Sequence, residues 1–373
     1  MRGQWFGYYS GYSTGMVTLE IDEREANYSG RACVFENGNN YFVYVFEFET
    51  PDKKPLQQLS LPVKFQRFGD VTNISRDELD KVIPNVSFPN FAKIELKFTK
   101  KGIRAKVEAF EGLRNLGTLN ANLTSGSAER RSKLLADKKV RTWEKFKIMV
   151  GSLPPDRFIF RGQPVTNRLR TSFHRTNRRD LHRFQVSDIP LMHGMVTSKT
   201  KHYFDLRDNI QNAAFWNLLQ HHGYPTPLLD WTHSPYVAAY FGFREKSRPE
   251  DEANRKIRIF MLDRAEWVKD YDQLNAVVNV KPHFSILAPI ALENPRALPQ
   301  QAICSITTVD DVEEYLALCG QKSNKVYLRV FELPYAERAT ILAELRLMGV
   351  AAGALFPGMD GACEEMRLKN FDV

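Results

Sequence analysis

Residues 220–235 read QHHGYPTPLLDWTHSP, and this stretch predicts a passage from helix to strand and back to helix. An amphipathic helix runs into the two histidines and ends at Gly223, because glycine takes the left-handed conformation at little cost. The Tyr-Pro-Thr-Pro segment cannot continue the helix, since each proline fixes its own φ and pushes its neighbour toward extended geometry. A short apolar strand then ends in Asp-Trp-Thr, and a new helix begins at Ser234. Side chains of this kind on short connections between rigid elements are typical of a binding or catalytic site.

His221 continues the face of the preceding helix that carries Leu218, so we expect its imidazole to point inward. Paired with Asp230, it would act as an oriented base or a ligand-binding group, because a carboxylate partner fixes the tautomer and direction of the ring. The alternative is a core histidine whose ring nitrogens are hydrogen-bonded within the protein. Asp230 would then cap the helix that begins near Ser234. Trp231 fits a core position better than a stacking surface.

The composition is that of a globular chain of 373 residues, long enough for two domains. Hydrophobic residues make up 43% of the chain, which suffices for a sizeable core. No stretch approaches the ~20 apolar residues of a membrane span, and the first residues do not read as a signal peptide. The four cysteines lack the spacing of a zinc site or a disulfide frame. We therefore expect free thiols, a cytoplasmic location and no membrane partner.

The net charge of +8 is concentrated in one block, residues 125–207, which holds 19 Lys and Arg against 7 Asp and Glu. Such a block suits a nucleotide or a nucleic acid, although a solvated surface would look the same. The eight histidines all fall within one third of the chain. They do not form an HxxxH or HxH pair with acidic support, so we expect no metal site.

The hydrophobic pattern divides the chain into two regions and predicts an α+β protein. Residues 1–120 alternate polar and apolar side chains at period two between turn signals, which predicts an all-β sandwich or small barrel that could bind a protein partner. Residues 121–139 are polar and charge-rich and read as a linker that becomes a basic surface helix. Residues 140–373 alternate helical and strand patterns and predict a mixed α/β domain.

Two arginine-rich motifs precede the histidine stretch. Residues 160–163 read FRGQ at the end of a buried strand, where Arg161 could hold a phosphate or carboxylate bidentately and Gly162 could let the backbone approach a ligand. The alternative is an arginine paired with a buried acid. Residues 169–175 read LRTSFHR, which is either a second anion-binding group or a helix cap with solvent-facing basic residues. The sequence has no Walker loop, GxGxxG, HExxH or serine-nucleophile elbow.

Taken in order, five motifs of this chain resemble the FRG domain family, which is named for its Phe-Arg-Gly motif. The likeness covers about residues 140–366, and Pro227 and Gly358 depart from it, standing where the family usually has arginine and often has aspartate. The motifs that carry it are residues 160–163, 169–175, 220–232, 237–241 and 355–361.

A strand that ends in Arg-Gly is also similar to the first strand of ADP-ribosyltransferases, where the arginine holds NAD. This likeness implies that residues 294–302 form the late strand on which those enzymes carry a catalytic glutamate, here replaced by Gln300 and Gln301. A glutamine cannot bear the charge that stabilises an oxocarbenium-like transition state. The catalytic residues that the resemblance implies are Arg161, His221, Asp230 and Gln301. The NAD-binding residues that it implies are Arg161, Gly162, Gln163, Thr171, Ser172, Arg175, Thr226, Trp231 and Thr232.

The resemblance therefore implies an NAD-using, ADP-ribosyltransferase-like effector, and a role in phage defence or as a toxin, because FRG-like modules often lie among phage-related genes in bacteria. A second hypothesis is a non-catalytic nucleotide- or nucleic-acid-binding module, and a third is a β-barrel interaction protein with a C-terminal scaffold. An acidic side chain within hydrogen-bond reach of the site would favour the enzyme over the binding module. The candidates are Glu293, Asp360 and Glu364.

Overall fold

The computed structural model describes residues 1–125, 131–176, 178–246 and 255–371. It shows an α+β protein in which a nearly closed, barrel-like β-sheet precedes a second, mixed sheet with helices, and this confirms the predicted fold class. No described helix has the length and apolar character needed to cross a membrane.

The strands of the barrel-like sheet are β1 (Gly3–Gly11), β2 (Gly15–Glu23), β3 (Tyr28–Glu36), β4 (Phe42–Glu49), β5 (Leu56–Pro62), β6 (Lys64–Arg67), β7 (Phe91–Thr99), β8 (Gly102–Glu111) and β9 (Arg114–Ser125). The strands of the second sheet are β10 (Phe158–Gln163), β11 (Leu228–Thr232), β12 (Lys256–Asp263), β13 (Phe284–Leu287), β14 (Ala302–Thr307) and β15 (Leu328–Pro334). The helices are α1 (Arg76–Val82), α2 (Trp143–Gly151), α3 (Ser172–Arg175), α4 (Leu181–Arg183), α5 (Ile189–Val196), α6 (Asn209–His221), α7 (Pro235–Phe243), α8 (Arg264–Asp270), α9 (Val312–Ser323), α10 (Arg338–Leu347), α11 (Ala352–Leu355) and α12 (Met359–Phe371).

The strands of the first sheet alternate inward apolar and outward polar residues, so one face of the sheet forms the apolar interior of the barrel. Its strand order is β5-β7-β8-β9-β1-β2-β3-β4-β6, with antiparallel pairing throughout. The two edge strands, β5 and β6, are consecutive in sequence and are separated only by Val63. The chain therefore pairs with β7 before this residue and with β4 after it, which nearly closes the barrel.

One helix, α1, interrupts the region for which the sequence pattern predicts only strands. Ser75 caps it by accepting a hydrogen bond from the backbone N–H of Glu78 (3.2 Å), and Leu79 is completely buried. The Ser-x-x-Glu spacing is the capping-box signature of a helix start. This local signal was available in the sequence and is stronger than the surrounding strand pattern.

A basic surface helix was predicted at the end of residues 121–139. Residues 131–139 contain no helix, so the prediction is wrong for these residues. The sheet itself continues through β9 to Ser125. Beyond the gap the chain is extended, and the N–H of Asp137 donates to the carbonyl of Val330 (3.0 Å). Leu134 and Ala136 pack against the core beneath the second sheet, which gives them the spacing of a strand rather than of a helix.

The second sheet has the order β13-β14-β11-β10-β12-β15 and is antiparallel throughout. One face packs against α2, α7 and α10, and the other packs against α8 and α9. Strands β10 and β11 form only one paired position, Phe160 with Thr232. The two strands diverge beyond that pair, and the divergence opens a space at the middle of the sheet.

The outer face of the barrel docks on the second region through buried polar groups. The side-chain amide of Gln4 donates to the carbonyl of Thr308 (2.6 Å), and its oxygen accepts from the N–H of Asp310 (2.9 Å). Asp22 accepts from the N–H of Arg179 (2.7 Å). These contacts join residues far apart in sequence and hold the two regions together.

Candidate functional site

A pocket of about 270 Å³ lies where β10 and β11 diverge, beside α7 and the end of α6. Six of the residues that the sequence predicts as a site line it, and they come from three separate elements. These residues are Arg161, Gly162, His221, Asp230, Trp231 and Thr232.

Arg161 spans the gap between the two strands. Its Nη1 donates to the backbone carbonyl of Asp230 (2.6 Å). This bond takes the place of the backbone hydrogen bond that β10 and β11 do not form here. Its Nε is buried and has no hydrogen-bond partner among the described residues. Burial lowers the pKa of the guanidinium, while the nearby Asp230 carboxylate raises it. Among the described residues Arg161 forms no ion pair, so the alternative of an arginine paired with a buried acid is wrong.

Asp230 is an exposed carboxylate that is held by its neighbours on α6 and β14. It accepts a hydrogen bond from Nε2 of Gln220 (2.5 Å), and the Cys304 thiol lies 3.7 Å away. The hydroxyl of the buried Thr226 donates in turn to the Gln220 side chain. Asp230 does not cap α7, because Ser234 does so by accepting from the N–H of Val237 (3.2 Å). The carboxylate therefore remains available to a ligand.

His221 does not pair with Asp230, which corrects the prediction of an ordering pair. Its Nδ1 contacts the carbonyl of Asn217 (2.9 Å), one turn earlier in α6, and the side-chain amide of Asn294 (3.2 Å). The half-buried imidazole is thus partnered by amides and lies on the pocket wall. Asn294 is 73 residues away in sequence, so the local pattern gave no sign of this contact.

The opposite wall is aromatic and carries a second cation. The rings of Phe241 and Phe356 meet edge to face with centroids 5.9 Å apart, and both line the pocket. The guanidinium of Arg296 lies 5.6 Å from the Phe356 centroid and 3.7 Å from the exposed carboxylate of Asp360. Both phenylalanines belong to motifs that resemble the FRG family, but nothing in the sequence indicated that they line the site.

Residues 156–251 match the family model of the FRG domain. No curated protein matches the chain. The matched segment contains β10, β11 and α7, and therefore Arg161 and Asp230, whereas Arg296 and Phe356 lie outside it. The barrel has no family match, in agreement with its being unrecognised in the sequence.

Gly162 serves the packing of the FRG domain rather than the approach of a ligand. A Cβ at this position would lie 1.8 Å from the carbonyl oxygen of Ala238 and 2.7 Å from the backbone nitrogen of Gly242. The glycine therefore lets α7 lie directly against β10, which sets the depth of the pocket. Gln163 does not line the pocket, and its amide donates to the carbonyls of Val165 and Asn167.

Residues 171–175 of the FRG domain lie outside the pocket lining and support it through hydrogen bonds to neighbouring residues. Thr171 is completely buried, and its hydroxyl contacts Nδ1 of His174 (2.7 Å). The hydroxyl of Ser172 accepts from the N–H of Thr226 (2.9 Å). Neither hydroxyl lines the pocket. Arg175 does not line it either, but partial burial lowers the pKa of its guanidinium and the Asp230 carboxylate raises it, which indicates that the two charges are close.

Trp231 and Thr232 contribute to the pocket as core residues. The indole N–H of Trp231 donates to the hydroxyl of Ser305 (2.9 Å), and the hydroxyl of Thr232 donates to the carbonyl of Gln300 (2.7 Å). Their polar groups are therefore already satisfied within the protein. They shape the pocket, as the prediction of a core tryptophan implies.

The expected late strand over residues 294–302 is wrong, because β14 begins only at Ala302 and the preceding residues form turns. Gln300 lines the pocket, but its amide donates to the carbonyl of Leu355 (2.9 Å). Gln301 is exposed at a positive φ of 48°, and it does not line the pocket. The positive φ turns the chain out of the sheet just before β14.

None of the three acids proposed to decide between enzyme and binding module lines the pocket. Glu293 accepts from the backbone N–H groups of residues 201 and 202, Glu364 is paired with Arg244, and the exposed Asp360 lies near Arg296 outside the lining. Asp230 is the one carboxylate that lines the pocket in the described part of the chain. The described residues contain no cluster of His, Cys, Asp or Glu with the geometry of a metal site.

Proposed function

We propose that the pocket of the FRG domain binds a nucleotide. Among nucleotides, NAD fits the pocket best. The observation that carries the proposal is the buried, unpartnered Nε of Arg161 beside the pocket. A buried polar group without a partner costs roughly 1–3 kcal/mol. A phosphate oxygen placed there would satisfy the N–H and offset that cost.

Charge and shape support a nucleotide over a simple anion. Arg161 and Arg296 line the pocket and Arg175 lies close to Asp230, so cationic groups outnumber the single lining carboxylate. The rings of Phe241 and Phe356 offer an apolar surface for a base. A volume of about 270 Å³ falls just below the roughly 300–1,000 Å³ of drug-sized ligand pockets. The pocket therefore has room for only part of a dinucleotide, and the rest would lie along the basic surface outside.

Asp230 favours a reaction as the second part of the proposal. In cleavage of NAD, the bond between C1′ of the ribose and the nicotinamide nitrogen breaks, and its electron pair leaves with nicotinamide. The sugar becomes oxocarbenium-like, and a carboxylate close to it stabilises that charge. Water or an acceptor hydroxyl then adds at C1′ and loses its proton to solvent. Such an activity would make the protein an ADP-ribosyltransferase-like effector suited to phage defence or toxicity.

The alternative is a pocket that holds a nucleotide or the end of a nucleic acid without breaking a bond. Gln300, which lines the pocket, favours this alternative, because an amide cannot supply the negative charge of a glutamate. The basic block of residues 125–207 would then bind phosphates with strong salt dependence.

Two measurements on the full chain separate these functions. Calorimetric titration with NAD should show binding that Arg161→Gln weakens by roughly tenfold or more, since a charge-assisted hydrogen bond is lost. Arg329→Ala, at an exposed arginine of β15, is the matched control and should leave binding unchanged. Chromatography should show nicotinamide release by the wild type and a loss of it in Asp230→Asn.

The outcomes are distinct. Binding without release supports the non-catalytic module, whereas salt-dependent retention of RNA without NAD binding supports a nucleic-acid partner. If neither NAD nor RNA binds, or if Arg161→Gln binds NAD as well as the wild type does, the proposed function is wrong.

A further inference from the structure

The outer face of α5 is apolar although it is exposed. The helix ends a continuous helical stretch, residues 181–196, whose buried side packs Phe184 and Ile189 into the core of the second region. Residues 189–198 read IPLMHGMVTS and contain no Asp, Glu, Lys or Arg. A surface helix of a globular protein normally carries charged and polar residues on its outer face. The composition of α5 is instead that of a helix covered on both sides.

Three large apolar side chains are exposed on this surface. Leu191 and Met195 stand one helical turn apart and are 68% and 71% exposed, and Gly194 leaves open space between them and solvent. Tyr203, which is 68% exposed, lies against α5, because its ring meets that of His193 with centroids 5.3 Å apart. We call Leu191, Met195 and Tyr203 the apolar ridge.

Basic side chains flank the ridge at both ends of the helical stretch. Arg183 lies near its start, and Lys199 and Lys201 follow its end; all three are exposed and form no ion pair with another described residue. Glu293 accepts from the backbone N–H groups of residues 201 and 202. The two acids between residues 181 and 207 are each paired with an arginine. These pairs are Arg178 with Asp188 and Arg207 with Asp205.

An anionic lipid surface fits this combination better than a nucleic acid or a protein does. Phosphates would contact the basic side chains but would leave Leu191 and Met195 in water. A protein interface carries roughly one hydrogen bond per 100–200 Å², whereas the only strong hydrogen-bonding group of the ridge is the Tyr203 hydroxyl. In a bilayer, apolar side chains enter the boundary between head groups and acyl chains, a tyrosine lies at head-group level, and long basic side chains reach the phosphates.

We propose that α5 docks the protein on an anionic phospholipid membrane, with the apolar ridge inserted at the interface and the three flanking basic side chains on the head groups. The contact is peripheral and reversible, because a few apolar side chains need electrostatic attraction as a second contribution. It differs from the sequence expectation of no membrane partner, which rested on the lack of a spanning segment. It does not depend on the function proposed for the pocket.

The test is co-sedimentation of the full chain with vesicles of phosphatidylcholine alone, or of phosphatidylcholine and phosphatidylserine in equal amounts. We expect saturable binding to the mixed vesicles and at least roughly tenfold weaker binding to phosphatidylcholine alone. Leu191→Ser and Met195→Ser should each weaken binding roughly tenfold, because a side chain that enters the membrane is lost. Leu347→Ser, at an 88% exposed position of α10, is the matched control and should bind as the wild type does.

The contribution of charge is tested on the same vesicles. The double variant Lys199→Gln, Lys201→Gln should bind the mixed vesicles roughly tenfold more weakly, and added salt should weaken binding of the wild type. Lys101→Gln, at an exposed turn of the barrel, is the matched control. All the substituted side chains are exposed, so each variant should unfold at the same urea concentration as the wild type, which separates lost binding from lost folding.

The proposal is overturned if the wild type does not bind the mixed vesicles, or if Leu191→Ser and Met195→Ser bind them as tightly as the wild type does. Equal binding to both kinds of vesicle would overturn the role of the basic side chains. A wild-type dimer in sedimentation velocity that Leu191→Ser dissociates, without vesicle binding, would assign the ridge to a second copy of the chain instead.

Discussion

The ionisation of Glu20 should control how the barrel docks on the second region. Glu20 lies on β2 at the interface, where its carboxylate accepts from the amide of Gln4 (3.2 Å) and from the N–H of Leu181 (3.4 Å). Burial, and to a smaller extent the charge of Asp180, raise its pKa from 4.5 to about 8. The folded protein therefore holds a neutral carboxyl at neutral pH.

This shift makes the protein less stable as the pH rises. The carboxyl ionises near pH 4.5 in the unfolded chain and near pH 8 in the folded protein, so between these values the folded state binds more protons. The free energy of unfolding then falls by about 1.4 kcal/mol per pH unit. Across the window the loss is at most roughly 5 kcal/mol, and solvent contact of the carboxyl reduces it to a few kcal/mol.

Glu20→Gln removes the ionisable group and keeps the hydrogen bonds. Urea unfolding of both proteins at intervals between pH 4.5 and pH 8 should show equal stability at the acidic end and a growing advantage of the variant toward the alkaline end. Glu49→Gln, at an exposed position of β4, is the matched control and should follow the wild type. Parallel stability curves for the wild type and Glu20→Gln would refute the reasoning.

Three further variants test other parts of the structure. Gly162→Ala should lower the free energy of unfolding in urea by more than ~3 kcal/mol, because its Cβ overlaps the backbone of α7, whereas Gly151→Ala meets open space and should change little. Burial lowers the pKa of His174 from 6.5 to about 4. The stabilisation that depends on a neutral imidazole is therefore fully present above pH 6.5 and is lost as the pH falls toward 4. This loss, up to roughly 3 kcal/mol in the free energy of unfolding, should be smaller in His174→Gln. Phe241→Leu should weaken NAD binding by roughly 1–3 kcal/mol, as expected for a lost base–aromatic contact.

The elements of the fold were predictable wherever the pattern is local. The turn at Gly223, with its φ of 86°, and the strands β10 and β11 follow from glycine, proline and apolar runs that the sequence displays directly. The segment 131–139 was not predictable in this way, because its extended form depends on contacts with β15 and α9.

The site was predicted as a set of residues but not as a set of contacts. Arg161 and Asp230 were predicted to share one site, and they meet because β10 and β11 are neighbours in the sheet. The partner of His221 comes from a distant loop, and Arg296 and Phe356 reach the pocket only through the packing of the C-terminal helices. The assigned roles of these residues, and the domain boundaries, stay predictions.

The most direct test of the nucleotide proposal is a crystal structure of the full chain with a non-hydrolysable NAD analogue. The account predicts a phosphate oxygen within hydrogen-bond distance of Nε of Arg161, with an aromatic ring of the ligand against Phe241 or Phe356. A ligand bound elsewhere, with Arg161 still contacting only the Asp230 carbonyl, would contradict it.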